Sequence, residues 1–313
     1  MRPNPEWSSV PDVADVEFLC GTRSSGAPDL LLEVPHGATR SDDFSRLAST
    51  LVGAYPDDLR DFFFVNTDVG APEVARRVAE RYVAAEPERA AVVIRCRIPR
   101  TFVDCNRVID AATKPAASAA GEMTPGLHAW VRDPRDRERL LALYASYRAL
   151  VTSAFERVCG RGGRALMVHS YAPRSVDVPV DDRIVEHLRA AYAPDKVGTW
   201  PLRSEVDLIL DAPDGARYAS EELAEGAASA FAAAGFAVAR NGAYALHPST
   251  LAHAFAREFP GRTLCLELRR DLLVREFTPF AEMRGEPSKV DRVAAPLAEA
   301  AVRAARAANA ASA

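Results

Sequence analysis

Short apolar runs recur along this sequence, and segments with helical periodicity separate them. The runs lie at residues 31–34, 62–65, 91–96, 164–168, 206–210, 236–239 and 263–268. A run of this length, without polar residues at every second position, is typical of a strand that is covered on both faces. The sequence therefore predicts a sheet that is buried between two other layers.

The segments between the runs favour amphipathic helices. Apolar residues are spaced at i, i+3, i+4 and i+7 in residues 72–85, 135–158 and 220–234, so each segment can cover one face of a sheet. Strands that alternate with helices indicate an α/β fold, a three-layer sandwich with a mixed, mainly parallel sheet. We expect residues 1–313 to form a single domain with a C-terminal helix at about 288–310.

One long segment is rich in Pro, Gly, Ser and Ala. It begins at residue 111, and loops of this length in compact domains are often lids or binding loops. We therefore expect a lid or binding loop at 111–130.

Composition excludes several classes of function. The net charge of the 313-residue chain is only −4 and no basic stripe is present, so we expect no nucleic-acid partner. No apolar stretch is long enough to span a membrane, and the N-terminus does not resemble a signal peptide. The five cysteines are widely spaced, which favours free thiols in a cytoplasmic protein. The sequence does not indicate an oligomeric state.

Histidine and carboxylate side chains follow three of the predicted strands. His36 comes shortly after the run at 31–34, His169 directly after 164–168, and Asp68 shortly after 62–65. Ligand sites of open α/β sheets lie beyond the carboxyl ends of the strands. Two imidazoles and one carboxylate can bind Zn²⁺ and leave a fourth position for water. Alternatively, the histidines are structural and Asp68 caps the next helix.

Glu267 lies inside the last apolar run, where a carboxylate is unusual. One interpretation is a salt bridge to Arg269, Arg270 or another buried arginine. The other is a general base that takes a proton from the attacking water and returns it to the leaving amine. A partly apolar site would raise its pKa toward the working pH. We assign Glu267 to catalysis.

Residues 95–107, RCRIPRTFVDCNR, combine four arginines with an aspartate and an asparagine. The intervening Ile98, Phe102 and Val103 would be unusual in a merely solvated loop. Guanidinium groups bind carboxylates in a bidentate manner, and one arginine can instead stabilise an oxyanion. From the residues alone, Asn106 beside Arg107 could hold the second oxygen of a carboxylate, and which of the arginines takes which role stays open; Arg97 and Arg100 are the other candidates for substrate binding and catalysis. A cationic pocket on an acidic chain predicts a small anionic substrate.

The order of these motifs resembles the N-formylglutamate amidohydrolases, which are relatives of the zinc carboxypeptidase-like hydrolases. The motifs are PHG, NTD, PRTFVDCNR, VHS and LELR, they span about residues 31–273, and RTFVDCNR is the most specific of them. The resemblance implies hydrolysis of N-formyl-L-glutamate to formate and glutamate, the last step of one route of histidine degradation.

The resemblance also implies roles for individual residues. His36 and His169 would bind one zinc ion, and Glu267 would be the general base. Asn106 and Arg107 would hold the α-carboxylate of the substrate.

Other implied roles have alternatives. Arg100 would lie near the scissile carbonyl or a second carboxylate. Zinc carboxypeptidases take their third zinc ligand from a Glu three residues after the first His, but this position is Thr39 here. Asp68 is our candidate instead, and Glu33 is the alternative.

The chain departs from the family pattern at several positions. Gly37 replaces the usual serine, Arg148 follows Tyr147 where a histidine is expected, and residues 241–250 introduce His247. These changes leave open another N-acyl amino acid or a small peptide as substrate, and also an amino-acid-binding relative without catalysis. A serine hydrolase that uses Ser170 is disfavoured because no GxSxG motif occurs.

Overall fold

The structure is a computed structural model that describes residues 7–109 and 123–312. Most of the expected lid at 111–130 therefore lies outside the described residues, and only residues 123–130 of it can be placed. The described strands are β1 (Ala14–Cys20), β2 (Leu30–Val34), β3 (Ala90–Cys96), β4 (Arg164–Tyr171), β5 (Val206–Ile209), β6 (Val238–Arg240) and β7 (Thr263–Arg269). The described α-helices are α1 (Ser41–Ala48), α2 (Leu59–Asn66), α3 (Ala71–Ala85), α4 (Pro134–Val158), α5 (Ile184–Ala191), α6 (Glu221–Ala233), α7 (Leu251–Glu258) and α8 (Pro287–Ser312).

The described strands form one seven-stranded sheet in the order β1-β3-β2-β4-β7-β5-β6. The four central strands β3, β2, β4 and β7 are parallel to one another, whereas β1 pairs antiparallel with β3 and β5 pairs antiparallel with β7. The prediction of a mixed, mainly parallel sheet is confirmed.

Helices cover both faces of this sheet. Alternate side chains of β2 illustrate the two layers: Leu31 packs into the core on the side of α4 and α7, while Leu30 and Leu32 pack into the core formed with α3, α6 and α8. All five residues of β2 are buried, which explains why its sequence lacks polar alternation. The last helix, α8, covers the segment in which we expected a C-terminal helix.

One apolar run does not form the predicted strand, and another forms it only in part. Residues 62–65 belong to helix α2, in which Leu59, Phe62 and Phe63 have i, i+3 and i+4 spacing and are buried. A four-residue apolar run does not distinguish a buried helix from a strand, and the helical pattern becomes visible only when Leu59 is included. The run at 236–239 overlaps only the start of the short strand β6.

Strand β1 was not predicted because it lies at the edge of the sheet. Its sequence, ADVEFLC, places Asp15 and Glu17 between apolar residues, so it lacks the continuous apolar run of the central strands. Val16 and Phe18 nevertheless pack against the core on one face. An edge strand that is partly solvated shows this alternation.

Candidate active site

Three parallel strands bring the predicted histidines and Glu267 to one end of the sheet. His169 lies near the end of β4 and is paired in register with Glu267 of the neighbouring strand β7. Paired residues of adjacent strands point to the same face, so these two side chains are neighbours. His36 follows β2, the other neighbour of β4.

His36, Asp68 and His169 form a buried group that could hold a metal ion. Asp68 Oδ2 lies 3.2 Å from His36 Nδ1 and 3.0 Å from His169 Nδ1, and the three ligand atoms lie within 4.8 Å of one another. Ligand atoms about 2.0–2.1 Å from a tetrahedral zinc ion are separated by roughly 3.3 Å. The donor types and their spacing therefore fit such an ion. The side chains are only 3–4% exposed.

Asp68 reaches this group from a helix junction rather than from a strand end, which corrects our prediction. It lies between α2 and α3, where its backbone N–H donates to the His36 carbonyl, and its own carbonyl accepts from Ala71. Burial raises the pKa of Asp68, but the charges and hydrogen bonds of His36 and His169 outweigh burial and hold this pKa well below its usual value. Asp68 is therefore an anionic ligand.

Asp104 belongs to the site and was not singled out from the sequence. Its Oδ1 lies 2.8 Å from His36 Nε2, and its Oδ2 accepts from Arg100 at 2.9 Å. Burial raises the pKa of this carboxyl, but the charges of Arg107 and Arg100 lower it more. An anionic Asp104 accepts the Nε2 proton of His36, which leaves Nδ1 free to bind a metal. Its position in the middle of the arginine motif was the signal available in the sequence.

Glu267 is half-buried, and its carboxyl group forms no ion pair within the described residues. Its Oε2 has no hydrogen-bond partner among the described residues. Arg269 pairs instead with Asp271, and Arg270 donates to the Ser170 carbonyl and approaches Asp68. Burial and the nearby charge of Asp68 raise the pKa of Glu267 to about 7, although His169 opposes this rise. A carboxyl group with this pKa can both accept and donate a proton near neutral pH.

A cavity of about 180 Å³ joins these groups to the arginine motif. Six of its lining side chains carry an imidazole, guanidinium, amide or carboxyl group, namely His36, Arg100, Asn106, Arg107, His169 and Glu267. The rest of the wall is largely apolar and includes Ile209, Leu246 and Ala252. A few convergent polar groups in a partly apolar concavity are typical of a small-molecule site.

The arginine motif holds its side chains by local contacts. Arg107 Nε donates to the Thr124 carbonyl at 2.9 Å, and its Nη2 donates to Thr124 Oγ1 at 3.1 Å. Asn106 uses its side-chain oxygen to accept from the Ala252 backbone, at the start of α7, which leaves its amide N–H groups for a ligand. Arg100 is anchored by Asp104 and lies 3.9 Å from Asp68.

Comparison with known proteins places the chain in a family. Residues 29–274 match the family of N-formylglutamate amidohydrolases. The chain belongs to this family. The predicted resemblance is thus confirmed, and membership supports an amidohydrolase activity.

Two solved structures share the fold of this family member. One is an N-formylglutamate amidohydrolase from Ralstonia eutropha JMP134, with 19% sequence identity, a TM-score of 0.58 and coverage of 95% of this chain and 99% of that one. The other is a gene product of Agrobacterium tumefaciens, with 19% identity, a TM-score of 0.53 and coverage of 95% and 96%. A comparison with curated proteins finds no match. Among the described residues, no helix is long and apolar enough to cross a membrane.

The structure does not bring Arg97 to the cavity of this amidohydrolase. Its Nε donates to Asp43 at 2.6 Å and its Nη1 donates to Asp15 at 3.1 Å. Arg95 also pairs with Asp43, as expected for residues two apart at the end of a strand. These carboxylates already neutralise Arg97, and it takes no part in the site that we propose.

Glu33, the alternative third ligand, is used elsewhere. Its Oε1 accepts a hydrogen bond from the Tyr147 hydroxyl of α4 at 2.5 Å. Burial raises the pKa of Glu33 above its usual value, which disfavours a charged ligand at this position. The Ser170 hydroxyl donates to the Val69 carbonyl, and it is therefore not aligned as a nucleophile by His169.

Two departures from the family pattern have local structural explanations. A Cβ atom on Gly37 would lie 2.6 Å from Arg95 Cγ and 3.0 Å from the Cys96 carbonyl oxygen, so a serine does not fit without a shift of Arg95. His247 forms a hydrogen bond with Ser249 and lies before the cap of α7 rather than in the cavity wall.

Proposed function

We propose that this family member is a zinc-dependent amidohydrolase that cleaves the amide bond of a small anionic N-acyl amino acid, with N-formyl-L-glutamate as the first candidate. The observation that supports this most strongly is the unpartnered Glu267 carboxyl beside His36, Asp68 and His169 in one cavity. We further propose a cytoplasmic location, since all five cysteines have free thiols.

Zinc held by His36, Asp68 and His169 would supply Lewis acidity that polarises the scissile carbonyl and acidifies water. Asp104 keeps the His36 ring in the orientation that this requires. The three proposed ligands come from separate segments of the chain. The folded sheet positions His36 and His169, and the α2–α3 junction positions Asp68.

Glu267 carries the proton in this mechanism. Its carboxylate takes a proton from the attacking water, and the resulting carboxylic acid gives this proton to the nitrogen of the leaving amine. The raised pKa, about 7, suits both steps because neither protonation state is strongly favoured at neutral pH.

Arginine and asparagine side chains would bind and orient the substrate. Arg100 lies between Asp68 and Asp104, from where its guanidinium stabilises negative charge that develops on the carbonyl oxygen. Arg107 and the free amide N–H groups of Asn106 would hold the α-carboxylate of the amino acid. Formate and glutamate are then the products from N-formylglutamate.

Replacement of Glu267 by glutamine tests this proposal. Glu267→Gln keeps the shape of the side chain but cannot accept the proton, so we expect kcat to fall by about 10²–10⁴-fold while bound zinc stays near one per chain. Hydrolysis of N-formyl, N-acetyl and N-succinyl amino acids is measured with and without a chelator. Exposed Glu88 provides the matched control, Glu88→Gln, for which we expect no change.

Two results would contradict the proposal. Near-normal turnover in Glu267→Gln would remove this residue from proton transfer. A wild-type protein that binds amino acids but contains no metal and hydrolyses none of the panel would instead be a non-catalytic relative.

A further inference from the structure

A second cavity, of about 200 Å³, adjoins the first on the other side of Glu267. The two cavities share four lining residues, namely Arg100, Thr124, Tyr244 and Glu267. Asp68 lines the second cavity, whereas His36 and His169 line the first. The proposed metal group and the proposed base therefore lie between two spaces, and a substrate at these groups can extend into both.

The second cavity contains two arginines, Arg174 and Arg203, that form no ion pair with a carboxylate of the described residues. Arg203 donates to the Tyr244 hydroxyl at 3.1 Å and to the Ala172 carbonyl at 3.5 Å, and its buried Nε has no hydrogen-bond partner within the part of the chain that the structure describes. Arg174 donates only to the Trp200 carbonyl among the described residues. This is unusual in this acidic protein, where arginines such as Arg100 and Arg270 approach carboxylates.

Two tyrosines fix the position of the Arg203 guanidinium. Its Cζ lies 5.0 Å from the Tyr171 ring centroid and 5.5 Å from the Tyr244 ring centroid. These contacts restrict the flexible side chain by cation–π attraction without removing its charge. A restricted guanidinium with an unused buried N–H group is prepared to bind an anion at a small loss of side-chain entropy.

The charge around the two cavities also favours an anionic ligand. Within the described residues, five arginines line them, namely Arg100, Arg107, Arg174, Arg203 and Arg270. The lining carboxyl groups are Asp68 and Glu267, and Asp104 lies behind the wall, where it accepts from Arg100. A divalent cation on the metal group would increase the positive excess. One substrate carboxylate at Asn106 and Arg107 leaves Arg203 without an ion-pair partner, so the charge favours a second anionic group.

We propose that Arg203, held between Tyr171 and Tyr244, binds a second carboxylate of the substrate and makes the enzyme selective for dicarboxylic N-acyl amino acids. This inference rests on the proposed function. The second carboxylate belongs to the amino-acid side chain, as in N-formylglutamate, or to the acyl chain, as in an N-succinyl amino acid. The chemistry at Arg203 is the same in both.

The test compares substrates that differ by one charge. We expect the wild-type zinc enzyme to have a kcat/KM at least about 10-fold higher for N-formylglutamate than for N-formylglutamine, or for N-succinylalanine than for its terminal amide. In Arg203→Gln this preference is expected to shrink about 10- to 100-fold, and Arg203→Lys should restore part of it. A preference within the N-formyl pair would assign the second carboxylate to the amino-acid side chain, and a preference within the N-succinyl pair would assign it to the acyl chain.

A binding measurement separates this inference from the proposed hydrolysis. Calorimetry with glutarate and with butyrate, a monocarboxylate, needs no turnover, and we expect glutarate to bind more tightly to the wild type but not to Arg203→Gln. Arg23→Gln, at an exposed position, is the control and should retain both preferences. Equal loss with charged and neutral ligands in Arg203→Gln, or an unchanged preference, would overturn the inference even if hydrolysis is established.

Discussion

Asp104 connects the two parts of the site. One of its oxygens lies at His36 Nε2 and also accepts from the Asn106 backbone N–H at 2.9 Å, while the other accepts from Arg100. One buried carboxylate thus orients a proposed metal ligand, an arginine at the reacting carbonyl and the backbone of a substrate-binding residue. This explains why a carboxylate lies inside an arginine-rich motif that otherwise favours anions.

We expect Asp104→Asn to weaken zinc binding while the protein still folds. Asparagine keeps the size of the side chain but removes the charge that fixes the His36 tautomer. We expect zinc affinity to fall by about 10–100-fold, measured by competition with a chromophoric chelator. Asp133→Asn, at the start of α4 and away from the cavity, is the control. Unchanged affinity would show that Asp104 does not act on the metal through His36.

The sequence indicated the site at the residue scale because its chemistry is concentrated in short motifs. His36, His169 and Glu267 follow or lie in buried strands, so the strand pattern alone was enough to bring them together. Asp68 was predicted to lie with the two histidines because it follows an apolar run that we took for a strand. It does lie with them, but the run belongs to helix α2. Arg203 was not predicted, because nothing near it in the sequence shows that Tyr171 and Tyr244 meet there.

Elements of the fold differed in how readily they could be predicted. Strands β2, β4 and β7 are continuous apolar runs because helices cover them on both sides, and burial of this kind appears directly in the sequence. Strand β1 and helix α2 depend instead on their neighbours in three dimensions. Edge position allows polar residues in β1. In α2, Leu59, Phe62 and Phe63 are buried on one face, and the four-residue apolar run alone does not show this helical spacing.

Helix α6 offers a test of stability that is separate from the site. Ser220 is its N-cap, and the hydroxyl accepts a hydrogen bond from the Leu223 backbone N–H. We expect Ser220→Ala to lower the free energy of unfolding by about 1 kcal/mol, measured by denaturant unfolding, without a change in kcat/KM. Ser229→Ala, on an exposed face of the same helix, is the matched control and should change little. Equal effects of both substitutions would contradict the capping role.

At the scale of the whole molecule, metal removal should reveal how the site joins distant parts of the chain. His36 follows β2, Asp68 lies at the α2–α3 junction and His169 belongs to β4, so an ion bound to all three stabilises only the folded state. Zinc at about 100 times its dissociation constant contributes about 2.7 kcal/mol, which corresponds to roughly 5 °C in Tm for a protein of this size. We expect a chelator to lower Tm by this amount and zinc to restore it.

His36→Ala should abolish the shift, whereas His187→Ala, at a half-buried histidine beside Asp181, should keep it. A shift of equal size in His36→Ala would mean that the stabilising ion binds elsewhere, since the folded state would then gain the same free energy without one of the three ligands.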